Sequence, residues 1–78
     1  MLIYVYDLKI RGLKEYNTLK RRFYYNLKHS SIAASPWKTK SVLFVKDDLE
    51  TAADTFFKRY TGFVEVYKAR VSDLESVV

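Results

Sequence analysis

Residues 2–8 read Leu-Ile-Tyr-Val-Tyr-Asp-Leu, an apolar and aromatic run too short for a membrane helix and rich in strand-forming residues. It is expected to form a central β-strand. Side chains alternate across a strand, so Ile3 and Val5 share one face and Tyr4 and Tyr6 the other. Branched aliphatics suit a packed core, whereas tyrosine hydroxyls want water or a polar partner. The expectation is therefore that Ile3 and Val5 pack under helices and that Tyr4 and Tyr6 stand on an open sheet face.

A polar break at residues 9–12 leads to a helix expected over 13–29, where Leu13, Tyr16, Leu19, Phe23 and Leu27 recur at three- and four-residue steps as one apolar stripe. Lys14, Arg21 and Lys28 follow at seven-residue steps on another side, with Arg22, Tyr25 and His29 beside them. Residues 30–36 include Pro36, which suits a short edge strand or an irregular segment. The turn is then placed at 37–40. Residues 41–45 form a second apolar run, with Leu43 and Val45 expected inward and Lys40, Val42, Phe44 and Lys46 on the solvent face.

Asp47 and Glu50 have the spacing of a capping box, and Leu49, Ala52, Ala53, Phe56 and Tyr60 supply the apolar stripe of a second helix. Lys58 and Arg59 near its end suit the helix dipole, and Gly62 stands where a left-handed residue is wanted. The last strand is expected over 63–71, with Val64 and Val66 inward and Glu65 and Tyr67 outward. Lys68 and Arg70 break that parity, which implies a bulge near Tyr67 or departure of the strand from the core. Residues 72–78 are a tail that could begin a helical turn or pair with a partner.

The order strand, helix, strand, strand, helix, strand is that of the ferredoxin-like βαββαβ unit. The expected fold is α+β, a four-stranded antiparallel sheet with two helices on one face, over residues 1–71. The 78 residues make one domain, and a chain of this size buries only about 60% of its unfolded surface. There is no cysteine, which removes disulfides and thiolate metal sites and gives no mark of an oxidising compartment. With no basic leader and no run of membrane-spanning length, a cytoplasmic protein is expected. Glutamine is absent and asparagine occurs only at Asn17 and Asn26, a composition compatible with a thermophile.

The net charge of +5 is uneven, because residues 1–46 carry +8 and residues 47–78 carry −3. A basic half favours nucleic acid or an anionic surface. Enzymatic signatures are weak: His29 is the lone histidine, the serines lack a glycine-rich elbow, and two glycines cannot build a phosphate loop. No cofactor is implied. Asp47 and Asp48 read as helix-capping acids, about 20 Å from Asp7 along antiparallel neighbouring strands. Glu65 is placed on the face opposite Asp7, so a metal site would need Asp7 from two protomers.

Ile3-Tyr4-Val5-Tyr6-Asp7-Leu8 resembles the first-strand hexamer of RNA-recognition-motif domains, with Asp7 where asparagine is usual. Lys40-Ser41-Val42-Leu43-Phe44-Val45 resembles that family's third-strand octamer at Lys40, Phe44 and Val45 but departs from it at Ser41, Val42 and Leu43. The likeness implies base stacking on Tyr4 and Phe44. Tyr6-Asp7 and Ser41-Val42 are also similar to the small ferredoxin-like subunit of the CRISPR adaptation machinery and its toxin-like relatives. That resemblance implies a dimer, with Asp7 as a Mg²⁺ ligand of a nuclease or with the fold acting as a nucleic-acid scaffold.

The leading expectation is a module binding single-stranded nucleic acid, RNA above all. Tyr4, Tyr6, Phe44 and Tyr67 would form its stacking platform, and Lys40, Lys46, Lys14, Arg21 and Lys28 would supply charge. The alternatives are a dimeric metal-dependent nuclease built on Asp7, and a protein-interaction subunit that buries the open sheet face, as in a homodimer.

Overall fold

The register of the first strand decides which side of the sheet the helices cover. In the computed structural model, residues 1–9, 12, 14–34, 37–39 and 41–78 are described. Strand β1 (Leu2–Leu8) is central, paired antiparallel with β3 (Val42–Val45) on one side and β4 (Val64–Arg70) on the other. A three-residue segment, β2 (Trp37–Thr39), pairs with the outer edge of β3 with a register shift. Helices α1 (Tyr16–Lys28) and α2 (Glu50–Lys58) complete an α+β fold with an antiparallel sheet.

Leu2, Tyr4, Tyr6 and Leu8 are the buried residues of β1, whereas Val5 is 47% exposed. This reverses the expected register. Tyr4 stacks on Phe57 of α2 with ring centroids 5.5 Å apart, and Tyr6 meets both Phe57 at 5.2 Å and Phe23 of α1 at 6.0 Å. Both helices thus lie on the tyrosine side. The physical reason lies in the ends of the strand. Burying the Ile3–Val5 parity would also bury the Asp7 carboxylate, while the opposite parity offers Leu2 and Leu8 and far more apolar area.

Leu43 and Val45 are buried, as expected from the strand they share with Lys46. Phe23 and Leu27 of α1, Ala53, Phe56 and Phe57 of α2, and Ile32 complete the core. Ile32 belongs to a 3₁₀ turn (Ser31–Ala34), the irregular alternative to an edge strand in this stretch, and the pairing lies in β2, where the sequence suggests a turn. Leu13, Ser35, Pro36 and Lys40 lie outside the described residues.

Strand β4 pairs with β1 without interruption from Arg70 opposite Leu2 to Val64 opposite Leu8. No bulge is needed at Tyr67. Lys68 and Arg70 keep the inward parity because α2 supplies acids for them: Lys68 Nζ lies 2.6 Å from Glu50 Oε2 and 2.7 Å from Asp54 Oδ2, and Arg70 Nη2 lies 2.7 Å from Glu50 Oε2. Glu50 is therefore committed to β4, not to a capping box. A 3₁₀ turn (Asp47–Leu49) leads into α2, whose first turn has no side-chain cap. Gly62 does take the left-handed conformation, at φ +93°, and turns the chain from α2 into β4.

Candidate nucleic-acid interface

Four cationic side chains, Lys20, Arg21, Arg22 and Lys28, project from α1, a helix whose thirteen residues include no acid. Apolar spacing explains the helix: Phe23 and Leu27 are buried and Tyr16, Leu19 and Tyr24 pack beside them, which leaves the basic positions toward solvent. Among the described residues, ion pairs are formed by the Met1 amino group, Lys9, Lys68 and Arg70, and none involves a side chain of α1. The fold therefore sorts its cations. Those of β4 are neutralised by α2, and those of α1 are not.

Of the expected basic stripe, Arg21 and Lys28 lie exposed on this helix, with Arg21 Nε donating to the Asn17 carbonyl at 3.4 Å. Lys14 is exposed in the turn before the helix starts, so it does not lie on the helical stripe. Tyr25, 63% exposed, rests on the His29 ring with centroids 4.3 Å apart. Lys20 and Arg22 complete the basic surface and were legible as members of the Lys-Arg-Arg run at 20–22.

The stacking platform is dismantled by the register of β1. Tyr4 and Tyr6 are 1% and 2% exposed beneath the helices. The Tyr4 hydroxyl donates to Asp54 Oδ1 at 2.6 Å, and burial together with that carboxylate raises its pKa strongly. The Tyr6 hydroxyl is buried without a hydrogen-bond partner among the described residues, and burial pushes its pKa up to about 12. For Asp54, burial works against ionisation, but hydrogen bonds from Lys68 and Tyr4 outweigh it and hold the carboxyl below its ordinary range. Glu50 is likewise lowered, by hydrogen bonds from Arg70 and Lys68.

The uncovered sheet face carries Ile3, Val5 and Asp7 of β1, Val42 and Phe44 of β3, and Glu65, Tyr67 and Ala69 of β4, as the cross-strand partners require. Tyr67 is 65% exposed and donates to Glu65 Oε1 at 2.6 Å, so Phe44 and Tyr67 do share this face as expected. Lys46 is exposed just beyond the β3 end of the face. Lys40 lies outside the described residues. Two aromatics, two acids and several aliphatics make a surface better suited to protein than to a polyanion.

Asp7 and Glu65 prove to be direct cross-strand partners, not residues of opposite faces. Like charges so placed repel, and Lys9 Nζ, 3.4 Å from Glu65 Oε2, offsets the repulsion. Within one chain these donors do not fit a catalytic Mg²⁺, because Glu65 is already held by Lys9 and Tyr67. No group of three or more metal-ligating residues exists among the described residues. No helix is long and apolar enough to cross a membrane among them either. No protein-family model matches the chain, and no curated protein or solved structure matches it.

Proposed function

We propose that this chain is a small ferredoxin-like βαββαβ domain, with β2 as the fourth strand, that binds single-stranded nucleic acid by charge and pairs with a second copy. The α1 face contacts phosphates; the open sheet face packs on the partner protomer. The observation that carries this reading is the sorting of cations, because Lys20, Arg21 and Lys28 are presented together without acidic neighbours on their helix while the remaining basic positions of β4 are neutralised. Unneutralised cations on one surface attract a polyanion and release its counterions.

The pairing of copies is supported by the chemistry of the sheet. Val5 and Tyr67 are exposed beside Ile3, Val42, Phe44 and Ala69, with Asp7 and Glu65 at one end and Lys46 toward the other. A two-fold axis across that face sets each Lys46 near the partner's acids, a complementarity that fixes orientation. The reading agrees with the dimeric, scaffold-type resemblance noted from the sequence. It departs from the RNA-recognition-motif resemblance in placing stacking secondary to charge.

Mass in solution and a salt titration test both halves. The wild type is expected to be dimeric, and Val5→Lys monomeric. Replacing Lys20, Arg21 and Lys28 together should flatten the slope of log affinity against log salt by about 0.7 per lost phosphate contact on a single strand. Absence of binding to single-stranded RNA and DNA at low salt would sink the nucleic-acid reading. Under the nuclease alternative, Mg²⁺-dependent cleavage would be seen with the wild type and lost in Asp7→Ala; the expected result is no cleavage by either.

A further inference from the structure

Among the described residues, two concavities on the helix side of the molecule differ in what they leave for a ligand. The larger, about 490 Å³, lies between α2 and β4 and is lined by Tyr4, Asp54, Lys58 and Lys68 among others. Three of those side chains are spent on one another through the Tyr4–Asp54–Lys68 bonds. The smaller, about 270 Å³, lies between α1 and the end of α2 and is lined by Leu8, Leu19, Arg22, Phe23, Arg59, Tyr60 and Phe63. Its charges are unspent: among the described residues neither Arg22 nor Arg59 pairs with a carboxylate.

We infer that this smaller cavity binds a mononucleotide unit, a single base with its phosphate. The inference rests on the nucleic-acid reading and names a site that shares only Arg22 with the charged face of α1. Its interior is aromatic and fixed. Phe23 and Tyr60 meet edge to face at 4.9 Å, and the Tyr60 hydroxyl accepts a hydrogen bond from Asn26 Nδ2 at 2.7 Å, which holds the ring in place.

The mouth is built from the turn after α2. Phe63 N–H donates to the Tyr60 carbonyl at 2.8 Å, and the Phe63 carbonyl accepts from Lys9 N–H at 2.7 Å. The left-handed Gly62 makes this turn possible. The result is a large ring, 43% exposed, held at the edge of a cavity by a backbone bonded on both sides. An aromatic ring left in water beside an apolar hollow is a ready face for a base.

Size and charge narrow the ligand. A volume near the lower end of the roughly 300–1,000 Å³ typical of ligand pockets accommodates one ring system and excludes a stacked pair. Arg22 from α1 and Arg59 from the C-terminal cap of α2 line the same cavity from different elements. Guanidinium groups bind phosphate through paired N–H donors and stack on planar rings, so they suit both parts of a nucleotide. The nucleotide could be free or could be the terminal residue of a strand.

The test uses the full chain, ¹⁵N-labelled, titrated with adenosine 5′-monophosphate, adenosine and inorganic phosphate, and separately with a short single strand bearing or lacking a 5′-phosphate. The monophosphate is expected to shift the resonances of Leu8, Leu19, Tyr60 and Phe63. Adenosine should bind about tenfold or more weakly, and Phe63→Ala and Arg59→Gln should each weaken the monophosphate about tenfold while leaving the spectrum folded. A strand terminus as the true ligand would appear as tighter binding of the phosphorylated strand, with the gain lost in Arg59→Gln. Preference for the free monophosphate, with no strand binding at any salt, would keep this site and refute the strand-binding function. Strand binding that depends on Arg21 and Lys28 but ignores Phe63→Ala, with no shifts at the cavity, would overturn the inference and leave that function standing.

Discussion

Removing one oxygen from each buried tyrosine of β1 should have opposite consequences. Tyr4→Phe deletes the 2.6 Å hydrogen bond to Asp54 Oδ1, and a hydrogen bond to a charged group is worth about 1.5–3 kcal/mol. Asp54 keeps Lys68 as a partner and its side chain is 30% exposed, so the loss belongs at the lower end, about 1.5 kcal/mol. For a domain of this size each kcal/mol moves Tm by about 4–8 °C, which gives a fall of about 6–12 °C. Tyr6→Phe removes a hydroxyl that is buried with no hydrogen-bond partner among the described residues, and such an orphan carries a desolvation cost of about 1–3 kcal/mol. Its ring contacts with Phe23 and Phe57 survive. Tm should stay unchanged or rise by several degrees. Urea and thermal unfolding followed by circular dichroism measure both variants under one condition. If the two tyrosines stood on an open face, both substitutions would be nearly neutral. Equal losses in the two variants, or a neutral Tyr4→Phe, would therefore refute the register on which the fold is built.

Acid should weaken the α2–β4 clamp. Asp54 and Glu50 have carboxyls lowered in the folded state, so below the ordinary carboxylate range of about 4 the unfolded chain binds more protons than the folded one. Their contribution is present above that range and is lost as pH falls through the lowered folded values; Lys68→Met should flatten this acid limb in urea titrations at successive pH values. At the alkaline end, Tyr4 and Tyr6 are raised when folded, so the stability they confer is present below about pH 10 and declines as pH climbs toward the folded values. Of the seven tyrosines, Tyr4 and Tyr6 should then contribute their tyrosinate absorbance only with unfolding. Gly62→Ala should destabilise by about 1 kcal/mol, because nothing crowds a Cβ there but φ is +93°, and a Gly62→Asn chain should recover part of the loss.

The spacing of apolar residues was enough to locate most elements. Phe23 and Leu27, Ala53 and Phe56, and Leu43 and Val45 carry the core where their periods place it. Local patterning of this kind depends only on neighbours within a few positions along the chain. The basic run at 20–22 and the absence of acids from α1 were equally visible, since charge on a helix face needs no distant partner to be recognised.

The facing of β1 was a different kind of question. Ile3–Val5 and Tyr4–Tyr6 are both plausible core pairs, and Asp7 was the one local sign, on the Ile3 parity, of which face meets water. The ends of the strand favour the tyrosine parity, and a carboxylate fifty residues away completes it, since Asp54 satisfies the Tyr4 hydroxyl as the larger ring goes inside. The same acid, with Glu50, lets Lys68 and Arg70 stay on the inward parity of a regular strand. The amino-acid order by itself determined the two helices, the strands β1, β3 and β4, and the distribution of charge. What only the tertiary structure decided was that Tyr4, Lys68 and Arg70 could all keep the helix side of the sheet, because a polar or charged side chain is buried at least cost where the folded chain brings it a partner.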